Sequence, residues 1–270
     1  MPCHGGLVFG DAAAYEAFMG RWSMVLAPTL LDRVRLDVEG VPGLVVDVGS
    51  GTGHLARAVA RRWPGCEVVG VDPAPGFVAT ARERAAADGE THRVRFEHGD
   101  AAHLPLESST ADAALAQLVL NFVPDPRAGV LEMRRVTRAG GVLAAAVWDY
   151  GGGMAMLRAF WDAAAATHPG AGAVDEALAR PARAGGIEGL FEAAGLEHLD
   201  GGVLEVPMRF ATFDDYWTPF LAGTGPAGDF VRTLDEPGRE ILRRELHRRL
   251  GDGPVEMTSA ARWVRGSVAG

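Results

Sequence analysis

The chain has 270 residues, of which 48% are hydrophobic and 23% are charged, a composition that is ordinary for one large globular domain. Its formal net charge of −9 argues against a protein that binds duplex nucleic acid or an acidic membrane surface. All 26 basic residues are arginines, so chemistries that require a lysine, such as a P-loop or a Schiff base, are excluded.

The cysteines and the hydropathy pattern indicate where the protein works. Cys3 and Cys66 form no metal-ligand spacing and no disulfide framework, so no metal site is predicted. The longest apolar run, Val142 to Trp148, is far shorter than the roughly 20 residues that cross a bilayer. The first basic residue is Arg21, so the N-terminus lacks the charged start of a secretory signal. We expect a soluble cytoplasmic protein.

The chain begins with a helical pattern that is rich in aromatic residues. Helical spacing covers residues 12–19 and then 24–38, with Pro28 inside the second stretch. One helix face carries Tyr15, Phe18, Met19 and Trp22. Such a face most often packs on the core, and the alternative is a lid over a pocket.

The following residues alternate short apolar runs with amphipathic stretches, which predicts βαβ units around a parallel sheet. The predicted strands are 44–48, 67–71, 94–97, 112–118 and 142–148, and the predicted helices between them are 54–63, 77–88 and 126–138. Beyond an interruption at 150–182, the pattern predicts helices at 187–194, 214–221 and 237–250, a strand or hairpin at 196–210 and a strand at 255–268.

A glycine-rich turn follows the first predicted strand. Gly49, Gly51 and Gly53 lie between this strand and a helix, a geometry in which the backbone approaches a ligand closely. Asp72 ends the second strand, where a carboxylate can accept hydrogen bonds from both hydroxyls of a ribose. These features fit a dinucleotide, whose fingerprint matches residues 51–56 with an acidic residue about 20 positions later. They equally fit S-adenosylmethionine (SAM).

Three carboxylates favour SAM. Asp47 precedes the glycine turn, where it would repel a pyrophosphate and attract the ammonium group of a methionine moiety. Asp100 follows the third strand, where it can accept a hydrogen bond from an adenine amino group. Together with Asp72, these residues predict one crevice lined by carboxylates at successive strand ends.

At this point the sequence resembles the class I SAM-dependent methyltransferases, in the branch of small-molecule and quinone-type enzymes. The resemblance is carried by residues 45–53, 70–72, 99–101, 123–126 and 132–141, and the segment Tyr15 to Trp22 is also similar to that branch. It implies an α/β fold with a doubly wound, mostly parallel seven-stranded sheet, an antiparallel last strand and a helical cap.

The resemblance also implies SAM as the cofactor. Asp72 would bind the ribose hydroxyls, Asp100 and Ala101 would frame the adenine, and Gln117 would lie near the methionine end. The N-terminal helix would close over SAM, with Arg21 meeting the SAM carboxylate. The implied cofactor-binding residues are Tyr15, Arg21, Trp22, Asp47, Gly49, Ser50, Gly51, Gly53, Asp72, Pro73, Asp100, Ala101 and Gln117.

The family supplies no invariant catalytic residue, because SAM carries an activated methyl group and a base is needed only when the acceptor must lose a proton. Position alone makes Asn121, Asp149 and His168 candidates for a base or a substrate contact. The alternative is that Asn121 and Asp149 stabilise turns and that His168 is a surface residue. A stripe of methionines and aromatic residues after residue 150 is either plain core or an acceptor pocket.

We expect one domain, with a helical lid at 1–40, a SAM-binding core at 41–149, a substrate-pocket insert at 150–185 and completion of the sheet with cap helices at 186–270. The predicted function is methyl transfer from SAM to an oxygen, carbon or nitrogen of a small molecule. The alternatives are an NAD(P)-dependent oxidoreductase of Rossmann type and a non-catalytic SAM-binding protein. The oligomeric state is left open, with a homodimer among the options.

Overall fold

The computed structural model describes residues 11–36, 42–175, 177 and 186–270. Its centre is a seven-stranded sheet in the order β3-β2-β1-β4-β5-β7-β6. The strands are β1 (Leu44–Val48), β2 (Glu67–Asp72), β3 (Val94–His98), β4 (Ala111–Gln117), β5 (Thr137–Trp148), β6 (Glu197–Phe210) and β7 (Val255–Ser267). The first five pair in parallel, and β7 lies antiparallel between β5 and β6.

Helices cover both faces of this sheet. They are α1 (Ala12–Tyr15), α2 (Arg21–Val34), α3 (His54–Arg62), α4 (Pro75–Ala87), α5 (Pro126–Val136), α6 (Ala155–Thr167), α7 (Gly186–Ala193), α8 (Phe213–Leu221), α9 (Gly225–Thr233) and α10 (Glu236–Leu250). A π-helical turn, Glu16–Gly20, joins α1 to α2. Apolar side chains of α2, α3, α4 and α6 fill the core on one face, and those of α5 and α7 fill the core on the other. The expected doubly wound fold with an antiparallel last strand is confirmed.

The central strands form where apolar runs are buried on both faces, as parallel sheets require. Strand β1 is buried from Val45 to Val48, and all but one residue of β4 is buried. At the edge of the sheet, β6 alternates exposed and buried residues over its second half, because only one of its faces packs on the core.

Four details of the predicted elements are corrected by the structure. Residues 197–210 form a single strand that pairs with β7 along its length, not a hairpin. Helix α5 ends at Val136, two residues before its predicted end, and strand β5 begins at Thr137, five residues before its predicted start, and includes Gly140 and Gly141. Helix α9 was missed because two glycines and a proline within nine residues resemble a turn. The N-terminal helical pattern runs unbroken to Val34, and its predicted end at residue 38 lies outside the described residues.

The described helices include none with the length and apolarity of a membrane span. The division into a lid, a core, an insert and a final segment stays a prediction, and part of the insert lies outside the described ranges.

Candidate active site

A cavity of about 450 Å³ opens at the carboxyl ends of the parallel strands, the edge at which α/β sheets bind ligands. Its floor is built from the segments that follow β1, β2, β3 and β4. Its sides come from the end of β5, from α6 and from the start of α9, and the N-terminal helix covers it with Tyr15, Phe18 and Met19.

The glycine turn after β1 is held by hydrogen bonds within the protein. The N–H groups of Gly49 and Ser50 both donate to the carbonyl of Val71, and the N–H of Gly53 donates to Ser50. The N–H of Gly51 donates to Asp72. A phosphate-binding loop points such N–H groups at its ligand instead, so this turn is unsuited to a pyrophosphate.

Only part of this turn faces the cavity. Gly49 and Gly51 line it, and all three glycines of the turn have a left-handed backbone, with φ between 53° and 85°. A Cβ on Gly49 would lie 2.2 Å from the side chain of Val119, and one on Gly53 would lie 2.8 Å from Phe96. These two glycines therefore accommodate the protein's own packing, whereas the expectation was that they make room for a ligand.

Asp72 lies at the end of β2 and lines the cavity with Pro73 and Ala74. Its Oδ1 accepts a hydrogen bond from the N–H of Ala74 at 2.9 Å, and its Oδ2 accepts one from Gly51 at 2.8 Å. Burial raises the pKa of this carboxyl, and the two N–H groups oppose that shift. Each oxygen has lone pairs left for a further donor, as a ribose diol requires.

Asp100 and Ala101 line the cavity after β3. The Oδ1 of Asp100 accepts a hydrogen bond from the N–H of Ala102 at 2.7 Å, which fixes the turn there. Two of the three carboxylates expected in the crevice are therefore present, on neighbouring strands.

The third carboxylate, Asp47, is not among the residues that line the cavity. It shares the β1 face of Val45, which packs towards α3, and its Oδ2 accepts a hydrogen bond from the N–H of Ala56 at 2.9 Å. The predicted attraction of Asp47 for a methionine ammonium is therefore not supported. Burial raises the pKa of Asp47 to about 7, with a smaller contribution from the charge of Asp72.

Arg21 and Trp22 also lie away from the cavity lining. The Arg21 guanidinium binds the carboxylate of Asp215 through two hydrogen bonds of 2.7 and 3.2 Å and donates a third to the carbonyl of Arg209. Trp22 is buried against Phe210, with ring centroids 5.2 Å apart. In this arrangement the donors of Arg21 are engaged on α8 and β6, and its role at the SAM carboxylate stays a prediction.

Tyr15, in contrast, lines the cavity as expected, and its ring packs on Phe77 with centroids 5.2 Å apart. The residue that follows it, Glu16, connects the N-terminal helix to the glycine turn. Its carboxylate accepts hydrogen bonds from the Thr52 hydroxyl and from Nε2 of His54 at 3.0 Å, and it pairs with Arg84 at 2.9 Å.

These partners come from the glycine turn, from α3 and from α4, and we refer to Glu16, Thr52, His54 and Arg84 as the clasp. Burial acts to raise the pKa of Glu16, but the hydrogen bonds from the other clasp residues prevail and lower it to about 2. Gly20 leaves room for the carboxylate, since a Cβ there would lie 2.5 Å from its carbon. No sequence motif indicated Glu16 or Arg84.

Two buried side chains that line the cavity carry polar atoms without a hydrogen-bond partner among the described residues. Gln117 donates from Nε2 to the carbonyl and hydroxyl of Ser23, which leaves its Oε1 unpaired. Trp148, at the end of β5, has an unpaired indole Nε1. Both atoms are closed off from solvent, so neither is exposed to the cavity in this structure.

None of the three candidate catalytic residues is among the side chains that line the cavity. Asn121 lies on the same loop as several lining residues but is not one of them. Asp149 begins a turn in which its carbonyl accepts hydrogen bonds from Gly153 and Met154. His168 packs on Phe230, and its Nδ1 lies 2.8 Å from the Thr167 hydroxyl. A catalytic role for Asp149 or His168 therefore stays a prediction.

Several lining residues were missed by sequence reasoning. Leu118 has a left-handed backbone, with φ of 62°, which turns the chain at the end of β4 and brings the following loop over the cavity. Nothing in the sequence identifies a leucine in that conformation. The missed lining residues include Phe77, Leu118, Val119, Phe122, Gly225 and Pro226. Of the methionine and aromatic stripe, Leu157 lines the cavity and Phe160 is core.

Comparison with known proteins agrees with this geometry. Residues 46–145 match the family model described as a methyltransferase domain. The chain is 38% identical over 110 residues to a demethylmenaquinone methyltransferase of Thermus thermophilus, covering 41% of this chain and 49% of that protein. It is 32% identical over 134 residues to a malonyl-[acyl-carrier protein] O-methyltransferase of Nitrosospira multiformis, covering 44% of each.

Structural similarity extends further along the chain. A phosphoethanolamine N-methyltransferase of Haemonchus contortus, solved in complex with SAM, aligns with a TM-score of 0.60 at 16% identity, covering 96% of this chain and 57% of that one. The fold is thus that of the Rossmann-like methyltransferases. The chain is thus similar to class I SAM-dependent methyltransferases, and the match to the methyltransferase-domain family lies at residues 46–145. It spans about half the length of the curated relatives it matches.

Proposed function

We propose that this protein transfers a methyl group from SAM to a small-molecule acceptor bound in the same cavity. The observation that carries the proposal is the arrangement of Asp72, Asp100 and Gln117 along three strand ends of one cavity. SAM supplies the activated methyl group, so the protein needs chiefly to bind, orient and exclude water.

The residues present fit SAM. In this proposal the carboxylate of Asp72 binds the ribose hydroxyls, and Asp100 with Ala101 contacts the adenine. Gln117 lines the same cavity at the end of β4, and we propose that it lies near the methionine moiety. The N–H groups of the glycine turn donate to other groups of the protein, and this disfavours a dinucleotide pyrophosphate as ligand. Tyr15, Phe18 and Met19 cover the cavity and limit the access of water.

The acceptor is proposed to be small and largely apolar. Apolar side chains from the N-terminal helix, the β4 loop and α6 make up most of the lining opposite Asp72 and Asp100. One relative is named for a demethylmenaquinone, which is an apolar acceptor, and another for a malonyl group on an acyl-carrier protein, which is a carboxylated one, so the names do not select an acceptor.

Calorimetric titration with SAM, S-adenosylhomocysteine and NADH tests the cofactor, and we expect the first two alone to bind. The protein is then incubated with methyl-labelled SAM and a metabolite extract, and labelled products are identified by mass spectrometry. Binding of NADH alone would refute the proposal, and SAM binding without a labelled product would favour a non-catalytic SAM-binding protein.

A further inference from the structure

Helix α2 is held in place along its length. At its start, the Arg21 guanidinium binds Asp215 on α8, and Gln117 on β4 donates to the carbonyl and hydroxyl of Ser23. At its end, Arg265 on β7 donates to a carbonyl of the last turn. The side chains of α2 that are buried in the core are those of Trp22, Ser23, Leu26, Ala27, Leu30, Leu31 and Val34. A movement of α2 would therefore break contacts with several other elements at once.

The residues that precede α2 are attached in a different way. We refer to α1 and the π-helical turn, residues 12–20, as the front segment. None of the residues of α1 is buried, and the two large buried side chains of the π-helical turn, Phe18 and Met19, both line the cavity. The clasp joins the segment to the glycine turn, α3 and α4 through Glu16. One carboxylate thus fixes the front segment to the elements beneath it.

The junction between the front segment and α2 is a place where a helix can bend. Helices kink at π-helical turns, and the last residue of this turn is Gly20. The backbone of Gly20 is helical, with φ of −58° and ψ of −40°, so its conformation does not require a glycine. The side chain of Glu16 does, because a Cβ at Gly20 would lie 2.5 Å from Cδ of Glu16 and 2.6 Å from both carboxylate oxygens.

We propose that the front segment moves as a lid that opens at Gly20 while α2 stays in place, and that Gly20 keeps this lid closed by leaving the space through which Glu16 reaches the clasp. The burial of Phe18 and Met19 over the cavity favours the closed form as well. The hinge goes beyond the proposed function, because it follows from the protein's own contacts and does not depend on which ligand the cavity takes.

Gly20→Ala separates this proposal from ordinary helix propensity. Alanine is the better helix former, so propensity alone predicts slower hydrogen exchange of the amides in the front segment. A Cβ that displaces Glu16 from the clasp predicts the opposite. Hydrogen exchange of the full-length protein, measured by mass spectrometry, is expected to become about 10-fold faster at residues 15–20, as the loss of a hydrogen-bonded charge implies, and to stay unchanged at residues 25–34.

Gly189→Ala is the matched control, because Gly189 also lies within a helix, α7, and a Cβ there meets no atom within 4 Å. It is expected to leave the exchange of residues 15–20 unchanged. Glu16→Ala removes the carboxylate and is expected to speed the same exchange. In that background, Gly20→Ala is expected to cause no further acceleration, and a further acceleration would overturn the role of Gly20.

Two results in the ligand-free protein overturn the hinge. One is slower or unchanged exchange of residues 15–20 in Gly20→Ala, which would mean that the glycine does not keep the clasp closed. The other is an equal acceleration of residues 25–34, which would mean that the front segment and α2 move as one helix. The exchange of residues 25–34 also reports whether each variant is folded.

A ligand provides a second readout, because Tyr15, Phe18 and Met19 of the front segment line the cavity. Saturation with S-adenosylhomocysteine is expected to slow the exchange of residues 15–20 more than that of residues 25–34. Equal slowing of both would show that the two parts respond as one helix and would overturn the hinge. Failure of S-adenosylhomocysteine to bind would refute the proposed function, and the ligand-free comparison of Gly20→Ala with Gly189→Ala then decides the hinge by itself.

Discussion

Asp72 combines two tasks in one carboxylate, because it fixes the backbone at Gly51 and Ala74 and presents its remaining lone pairs to the cavity. Asp72→Ala is expected to weaken SAM binding by roughly 1.5–3 kcal/mol, the range for hydrogen bonds to a charged group. Calorimetry measures the change. Asp235→Ala is the control, since Asp235 also accepts a backbone N–H, from Gly238, but lies at the start of α10. Equal SAM affinity of Asp72→Ala and the unmodified protein would contradict the ribose role.

Asp47 predicts a particular dependence of stability on pH. Burial raises its pKa from about 3.8 to about 7, so the folded state holds a proton that the unfolded state releases. Stability therefore falls as the pH rises through this interval and levels off above it. Asp47→Asn keeps an oxygen that can accept from Ala56 and cannot lose a proton.

The free energy of unfolding of Asp47→Asn, relative to the unmodified protein, is expected to be higher at pH 8 than at pH 5 by more than about 1 kcal/mol, measured by urea unfolding. Asp88→Asn serves as the control. The Arg57 guanidinium lowers the pKa of Asp88, so that carboxyl is already ionised at both pH values. A difference for Asp47→Asn that does not change with pH would show that this carboxyl is ionised throughout.

Among the elements, the N-terminal helix both covers the cavity and is joined to the glycine turn. The clasp joins Glu16 to Thr52 and His54 next to Gly51 and Gly53, while the neighbouring Tyr15 lines the cavity. If SAM binds beneath this helix, as proposed, breaking the clasp loosens the cover, and we expect it to speed the release of SAM.

Glu16→Gln removes the charge that pairs with Arg84 and is expected to raise the off-rate of SAM by about 3- to 10-fold, measured by stopped-flow displacement. Glu245→Gln is a close control, because Glu245 also pairs with arginine, here with two of them, and also has its pKa lowered to about 2, but lies on α10. An unchanged off-rate in Glu16→Gln would show that the cover opens without breaking the clasp.

Sequence reasoning located the elements well where apolar runs are buried on both faces. Strand β1 was predicted with its observed bounds, because a short apolar run that contains one aspartate and is bordered by glycines has few alternative secondary structures. Sequence reasoning missed α9, because its glycines and proline resemble a turn. It also missed the pairing of Arg21 with Asp215, which lies 194 positions away in the chain. Pairings of that separation depend on how α2, α8 and β6 pack, which local patterns do not contain.

At the scale of the molecule, the strand order decides which predicted residues meet. Sequence motifs alone placed Asp47, Asp72 and Asp100 at one edge of a parallel sheet, and the order β3-β2-β1 does bring the three strands together. The alternation of side chains along β1 nevertheless turns Asp47 towards α3. A motif thus predicts the strand end, whereas the direction of each side chain depends on the pleat and on the packing behind it.

A ligand that fills a cavity built from both halves of the chain stabilises the whole fold. Residues from Tyr15 to Pro226 line this cavity, so a ligand in it, which we propose to be SAM, would bind only the folded state. At 100 times its Kd, such a ligand adds about 2.7 kcal/mol to the free energy of unfolding, which corresponds to a rise of roughly 5–10 °C in Tm for a chain of this size.

Differential scanning fluorimetry is expected to show this rise with SAM and with S-adenosylhomocysteine but not with NADH. At the same SAM concentration, Asp72→Ala is expected to show a smaller rise, whereas Asp235→Ala retains the full one. An equal rise with NADH would mean that the cavity does not discriminate against a pyrophosphate, contrary to the inward hydrogen bonding of its glycine turn.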